Sequence, residues 1–245
     1  MPENDGIRLN KFIASAGICS RRDADKLIEQ GKVTLNGKVA KTGDRVLPSD
    51  SVKVGSRLIK LPEKSTVIAF YKPVGVTCTE RDEHAELTIY DVFKYKERMT
   101  YAGRLDKDSE GLLIMTNDGD LIDSMMRAKN NHEKEYVVEV NKYIPDSILE
   151  KMAEGVYLND LKRKTKKATV KRIGKTSFAI TLTEGMNREI RRMCANFDYK
   201  VVSLKRVRVL NVTLGGLKPG QYRVLNNDET TSLKDAVYGK NRGKD

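Results

Sequence analysis

Tyr101-Ala102-Gly103-Arg104-Leu105-Asp106-Lys107-Asp108-Ser109-Glu110-Gly111-Leu112-Leu113-Ile114-Met115 is the stretch on which the reading of this chain turns. A glycine that can turn sharply is followed by a cation, an apolar residue that can anchor inward, and an acid offered from a loop. The apolar run Leu112 to Thr116 then has the composition of a buried strand. Taken alone, an acid in a glycine-containing loop is more often a turn or cap residue than a catalytic carboxylate. Its companions in the chain have to decide.

On either side of this stretch, strand-like and helix-like segments alternate without a regular βαβ repeat. Val67 to Tyr71 reads as a buried strand that ends where Lys72-Pro73-Val74-Gly75 forces a turn. Thr88 to Phe93 suggests a short helix. Leu121, Ile122, Met125 and Met126 mark one helix face, and the methionines there are core filling. Lys134 to Val140 has strand propensity, a helix runs from about Asp146 to Glu154, and Thr169 to Ile173 and Phe178 to Leu182 are two further strands. Lys205, Arg206 and Arg208, interleaved with Val207, Val209 and Leu210, predict a strand with one basic side, and Leu233 to Val237 a last helical piece. This order favours an α+β domain with a mainly antiparallel mixed sheet over a doubly wound fold.

In Glu184-Gly185-Met186-Asn187-Arg188-Glu189-Ile190-Arg191-Arg192-Met193-Cys194, the residues Ile190, Met193, Cys194 and Phe197 form one helical stripe. On a helical wheel Arg188 and Arg192 lie opposite it, while Glu189 and Arg191 flank it. Arg191 is therefore the arginine placed for partial burial, and a buried guanidinium needs a carboxylate partner, for which Asp106 is one candidate. The competing reading is three arginines on a solvated face.

The first sixty residues have a different grain. Leu9, Phe12, Ile13 and Ala16 recur at helical spacing before Gly17, which suits a helix C-terminus. Ser20 stands three before Asp23 in a capping-box pattern, and Ala24, Leu27 and Ile28 form a second stripe that Gly31 ends. Alternation follows, with Val33 and Leu35, then Asn36-Gly37 and Val39, a hairpin with a primed turn. Val46, Val52 and Val54 supply further short strands. Arg8, Lys11, Arg21, Arg22 and Lys26 cannot all face a core and make a compact basic patch suited to phosphate. Residues 61–66 combine a proline with polar residues and read as a linker. The expected domains are 1–60, 67–237 and a basic tail, 238–245, without apolar periodicity.

Composition narrows the function classes. The 46 Lys and Arg against 34 Asp and Glu, a formal charge of +12 over 245 residues, point to a polyanionic partner, most economically nucleic acid. No apolar run approaches the ~20 residues of a membrane span, and Glu3 and Asp5 do not fit the start of a secretory signal, so a cytoplasmic monomer is expected. Cys19, Cys78 and Cys194 are too scattered for a disulfide framework or a cysteine-rich zinc site, and His84 and His132 read as surface residues. No metal, cofactor or membrane contact is expected, and no phosphate-cradling glycine fingerprint is present.

Two resemblances follow from these residues. The helix, helix, hairpin order with Ser20-Arg21-Arg22 and Val33-Thr34-Leu35-Asn36-Gly37-Lys38 resembles the small N-terminal S-four-type RNA-binding domain, over about residues 7 to 60. Lys72-Pro73-Val74-Gly75, Gly103-Arg104-Leu105-Asp106, Lys134-Glu135-Tyr136 and the Glu184 to Met193 segment, in that order, resemble the RsuA-like pseudouridine synthases, which join such a domain to a larger catalytic one. Asn131 to Tyr136 and Gly185 to Arg188 look most like the RluF branch, which acts on large-subunit ribosomal RNA.

The resemblance implies a cofactor-free RNA pseudouridine synthase that flips a uridine out of its stack and isomerises it, with 23S ribosomal RNA favoured and transfer RNA as a second candidate substrate. It assigns Asp106 as the catalytic aspartate, Tyr136 as the tyrosine at the base, and Arg191 as the basic partner of the aspartate. Arg104, Lys72, Lys134, Arg188 and Arg192 are then expected at the substrate, and Arg8, Lys11, Arg21, Arg22 and Lys26 at RNA outside the active site. An aspartate near C1′ could stabilise cationic character on the sugar, attack it, or take a sugar proton. Glu189 departs from the family, which usually has glutamine there.

Overall fold

A computed structural model describes residues 6–62, 64–79, 85–127 and 131–239. His84, Glu63 of the expected linker, and residues 240–245 of the expected tail lie outside them. The chain divides into two units. One comprises the described residues up to Thr66 together with Tyr95–Thr100 and Asn117–Gly119, and the other comprises the rest.

In the first unit the order is β1 (Ile7–Arg8), α1 (Leu9–Ser15), α2 (Arg21–Glu29), β2 (Val33–Leu35), β3 (Lys38–Val39), β4 (Arg45–Val46), β5 (Val52–Val54) and β6 (Arg57–Ile59). The Ser20 hydroxyl starts α2 by accepting from the Asp23 amide at 3.2 Å and donating to its carboxylate at 2.9 Å. Asn36 and Gly37, with φ of 52° and 79°, make the primed turn that the Asn-Gly pair predicts between β2 and β3. A four-stranded sheet in the order β3-β2-β5-β6 and the two helices share one core, in which Leu9, Ile13, Ala24, Ile28, Val33 and Val52 are buried. β1 and β6 were not legible in the sequence.

The second unit contains β7 (Val67–Lys72), α3 (Ile89–Val92), all but the first residue of β8 (Thr100–Ala102), β9 (Glu110–Thr116), all but the first residue of α4 (Gly119–Met126), β10 (Lys134–Val140), α5 (Asp146–Ala153), β11 (Tyr157–Leu158) and β12 (Arg163–Lys164). It continues with β13 (Thr169–Arg172), β14 (Ser177–Leu182), α6 (Glu189–Ala195), β15 (Val201–Val209), β16 (Val212–Thr213), β17 (Tyr222–Val224) and α7 (Asn227–Tyr238). The main sheet runs β13-β14-β10-β15-β9-β7-β17, with β16 on β15 and β8 on β9. Along the main path and between β15 and β16 the pairings are antiparallel except β15 with β9, so the mixed, mainly antiparallel α+β sheet is the one observed.

Two apolar clusters hold this sheet. One gathers Val138, Phe178, Ile180, Met152, Ile190 and Met193 beneath α5 and α6, and the other gathers Val67, Leu112, Ile114, Leu121, Val209 and Leu233 beneath α4 and α7. Each fully buried side chain of this size contributes about 1.5–3 kcal/mol. At the parallel junction Gly111 faces Arg206 with φ of 109°, and a Cβ there would lie 2.3 Å from the Arg206 carbonyl oxygen. Only glycine admits that approach. Between Glu135 and Tyr136 the β10–β15 register slips, so that Tyr136 rather than Val137 stands opposite Arg206.

Two expectations are corrected here. His132 is not a surface residue: it is 5% exposed, and its Nε2 lies 3.2 Å from the Ser124 carbonyl oxygen. Burial lowers its pKa, because the charged form would lose water. β15 does not carry one basic side: Arg206 is buried, whereas Lys205 is paired with Glu110 and Arg208 with Glu133 and Glu135. The bulge beside Tyr136 breaks the simple alternation from which that side was read.

Candidate active site

The loop between β8 and β9 is held from below. Gly103, with φ of 88°, makes the turn, and Leu105 is buried as its apolar character requires. The Ser109 carbonyl accepts from the Lys72 ammonium at 2.7 Å, which also donates to Pro73 at 2.8 Å. Arg206 donates to the Leu112 carbonyl at 2.7 Å and reaches the Arg104 carbonyl at 3.4 Å. The Gly75 amide donates to the Lys107 carbonyl at 2.7 Å. These bonds leave the Asp106 side chain 37% exposed at the surface of a fixed loop.

The opposite wall is the turn into α6. Arg188 caps that helix in the left-handed region, φ 52° and ψ 33°, and so its side chain is not placed by the helical wheel. Its guanidinium forks onto the Asp108 carboxylate at 3.1 and 2.8 Å and stands 3.8 Å from Asp106. Arg191, one turn further in, is only 14% exposed, as its position beside the apolar stripe predicts. It donates to the main-chain carbonyls of Asp108 at 2.8 Å and Val201 at 3.3 Å. Its Nε lies 3.3 Å from the Asp108 carboxylate, in ion-pair range but off hydrogen-bond alignment.

The expected pairing of Arg191 with Asp106 is therefore corrected. The left-handed cap brings Arg188 towards Asp106, and Arg191 grips Asp108. The hydrogen bond from Arg188, opposed by partial burial and aided by the Arg191 charge, holds the Asp108 carboxyl below the usual carboxylate range. Asp108 is thus an anchor, and Asp106 the less encumbered of the two acids.

The other expected site residues fall in different places. Tyr136 is half-buried on β10, packed against the cluster beneath α6 and opposite Arg206. Arg104 is exposed. Lys134 turns its ammonium to the His132 carbonyl at 3.2 Å, and burial lowers its pKa, with Arg206 adding to the effect. Lys72, expected at the substrate, is instead wholly buried, with a pKa brought down to about 8 by desolvation; it positions the loop's backbone. Arg192 is likewise turned aside, bound to Asn187 and paired with Asp160.

Asp108, Ser109 and Arg206 were missed as parts of the site. The spacing of Asp108, two residues after Asp106 in the same turn, was the available signal; nothing in the sequence marks Arg206 as buried. In the first unit Arg8, Arg21, Arg22 and Lys26 are exposed and Lys11 is half-buried, with Lys26 3.7 Å from Asp23.

Residues 66–196, which carry the loop, Tyr136 and the α6 turn, match the RNA pseudouridylate synthase family, and residues 7–52 match the S4 domain. The chain belongs to the RNA pseudouridine synthases, in the RsuA-like group that carries an N-terminal S4 domain. Within that group it lies with the RluF branch: it is 46% identical to the dual-specificity RNA pseudouridine synthase RluF of Escherichia coli K12, over 95% of this chain and 80% of that one. The ribosomal large subunit pseudouridine synthase B of Bacillus subtilis is 36% identical over 96% of this chain and 98% of its own. A crystal structure of a pseudouridylate synthase superposes with a TM-score of 0.67 at 31% identity, covering 93% of this chain and all of that one.

Proposed function

We propose that this RNA pseudouridine synthase acts on a uridine of large-subunit ribosomal RNA, 23S in a bacterial ribosome, with Asp106 as the carboxylate that works on the sugar. The names of RluF and of the Bacillus enzyme support the substrate class. The observation that carries the site is the position of Asp106. It is a part-exposed acid on a loop fixed by buried Lys72, Arg206 and Arg191, with the Arg188 guanidinium 3.8 Å away.

In the isomerisation the N1–C1′ bond breaks, the base turns, C5 joins C1′, and the proton lost from C5 is balanced by one gained at N1. Asp106 sets negative charge against the cationic character that C1′ acquires as its bond loosens. Arg188 orients that carboxylate, and Arg191 holds Asp108 and with it the loop. Tyr136 offers a ring for the freed base to stack on, and Arg104 a cation at the mouth of the site. Flipping the nucleotide costs a few kcal/mol, offset by stacking and phosphate contacts. The first unit, through Arg8, Lys11, Arg21, Arg22 and Lys26, adds RNA contacts of its own.

RluF is described as dual-specific, which leads us to include transfer RNA as a second substrate. The enzyme works as a cytoplasmic monomer. Pseudouridine is to be mapped in ribosomal and transfer RNA from cells lacking this protein and from the same cells supplied with wild type or Asp106→Ala. Sites restored by wild type should stay uridine with the variant; pseudouridine restored equally by both would sink the assignment.

A further inference from the structure

Between β14 and α6 lies a buried pair of acids with no part in the chemistry above. Glu184 is 7% exposed, and both of its oxygens are occupied, one by the Arg163 guanidinium at 2.9 Å and the other by the Lys166 amide at 2.6 Å. Glu189 is 4% exposed. Its Oε2 accepts from the Met186 amide at 3.0 Å, and its Oε1 is buried with no donor. Counted as carboxylates, the two acids would place like charges together in an apolar surround with one oxygen unsatisfied, which is costly twice over.

The Lys134 charge relieves this in part, but the neighbouring cations give their hydrogen bonds elsewhere. Arg163 serves Glu184, the Lys134 ammonium is bonded to the His132 carbonyl, Arg206 is bonded to the Leu112 and Arg104 carbonyls, and Arg188 is forked onto Asp108. A proton on Glu189 Oε1 turns the orphan acceptor into a donor, and hydrogen bonding with the Glu184 side chain favours that protonated form. The same Glu189 carboxyl closes the turn over Met186, Asn187 and Arg188 through the Met186 amide.

We propose that Glu189 is a positioning residue that acts as a neutral acid. One proton held between Glu189 and Glu184 locks the turn from Glu184 to Glu189, and the locked turn presents left-handed Arg188 to Asp106 and Asp108. The inference rests on the reading of Arg188 and Asp106 given above. Burial, with the Glu184 charge adding to it, pushes the Glu189 carboxyl up to about 7. Loss of the proton would bury a second anion beside Glu184 and loosen the turn. A glutamine at this position reproduces the pattern without a titrating group, since its amide donates to Glu184 and its carbonyl accepts from Met186.

The test compares single-turnover rates of wild type, Glu189→Gln and Glu189→Ala on a transcribed ribosomal RNA fragment from about pH 6 to about pH 9. Wild type should lose about tenfold on the alkaline side. Glu189→Gln should stay within about threefold of wild type at neutral pH and lack that alkaline loss, and Glu189→Ala should be about tenfold slower at neutral pH. Superposed wild-type and glutamine profiles, or a glutamine variant as slow as the alanine one, would overturn the proposal. Should the alanine variant fail to fold, the comparison of wild type with glutamine decides alone. Carboxyl carbon NMR of Asp106→Asn protein, with Glu189→Gln used for assignment, reads the proton without turnover. A Glu189 carboxyl that is ionised throughout refutes the neutral acid, whatever becomes of Asp106.

Discussion

The two units place the same cationic side chains in opposite settings. In the first, Arg8, Arg21, Arg22 and Lys26 stand in solvent on β1 and α2. In the second, Lys72 and Arg206 are 0% and 3% exposed and Arg191 is nearly as deep, and each binds main-chain carbonyls of the segment from Arg104 to Leu112. An exposed cation is available to phosphate, and its pull fades with salt. A buried cation has given up water for fixed partners, so removing it or its contacts disrupts structure at any salt concentration. Charge in this protein is thus carried on the surface in one place and built into a scaffold in the other.

The sharpest way to break that distinction is to disturb the scaffold where it is tightest. Gly111→Ala would place a methyl 2.3 Å from the Arg206 carbonyl oxygen and 2.7 Å from its amide nitrogen, at a φ of 109°. We expect a loss of about 3–5 kcal/mol in urea unfolding, because the obstruction is backbone that cannot rotate away. A loss within about 1 kcal/mol would mean that β9 and β15 do not need this approach. Next in size, Arg188→Met and Asp108→Asn should each slow single turnover by about a hundredfold while leaving the salt dependence of RNA binding as in wild type. If the salt dependence fell instead, Arg188 would belong with the phosphate-binding cations and not with the site.

The sequence carried most of the scaffold but not the way its charges connect. Lys134–Val140 has its observed bounds because its strand composition sits between polar breaks, and Asn36-Gly37 specifies its own turn. Arg191 was legible as a half-hidden arginine because its angular position on an amphipathic helix fixes its depth. Arg188 was misplaced by that same wheel, since a residue in the left-handed region ahead of the first turn obeys no helical periodicity. Lys72 and Arg206 were unreadable as buried: a lysine at a strand end and an arginine beside a bulge look solvated until the carbonyls that receive them are in place. Two-residue strands such as β11, β12 and β16 exist only by pairing and leave no periodic trace.

On the binding side the effects are smaller and must depend on salt. Replacing both Arg21 and Arg22 by alanine should weaken binding of a ribosomal RNA fragment by about tenfold at moderate salt and reduce the slope of log affinity against log salt by about 1 to 2. Turnover of bound RNA should stay near wild type. A drop in single-turnover rate at saturating enzyme, with an unchanged slope, would place these arginines with the buried ones and collapse the comparison.

The smallest effect tests whether a part-exposed ion pair can still act as scaffold. Hydrogen bonding from Arg188 keeps the folded pKa of Asp108 below its ordinary value near 3.8, and the Arg191 charge assists while partial burial opposes. A depressed carboxylate adds stability that is fully present above the ordinary value and is lost as pH falls through the lower folded value. The pair is partly open to solvent, so the term is modest and partly screened. Thermal unfolding of wild type should therefore decline on acidification below about pH 4 more than that of Asp108→Asn, which has no carboxylate to protonate. An acid limb that Asp108→Asn leaves where it is in wild type would show that the Arg188 fork adds nothing to the fold and that a part-exposed pair is no scaffold.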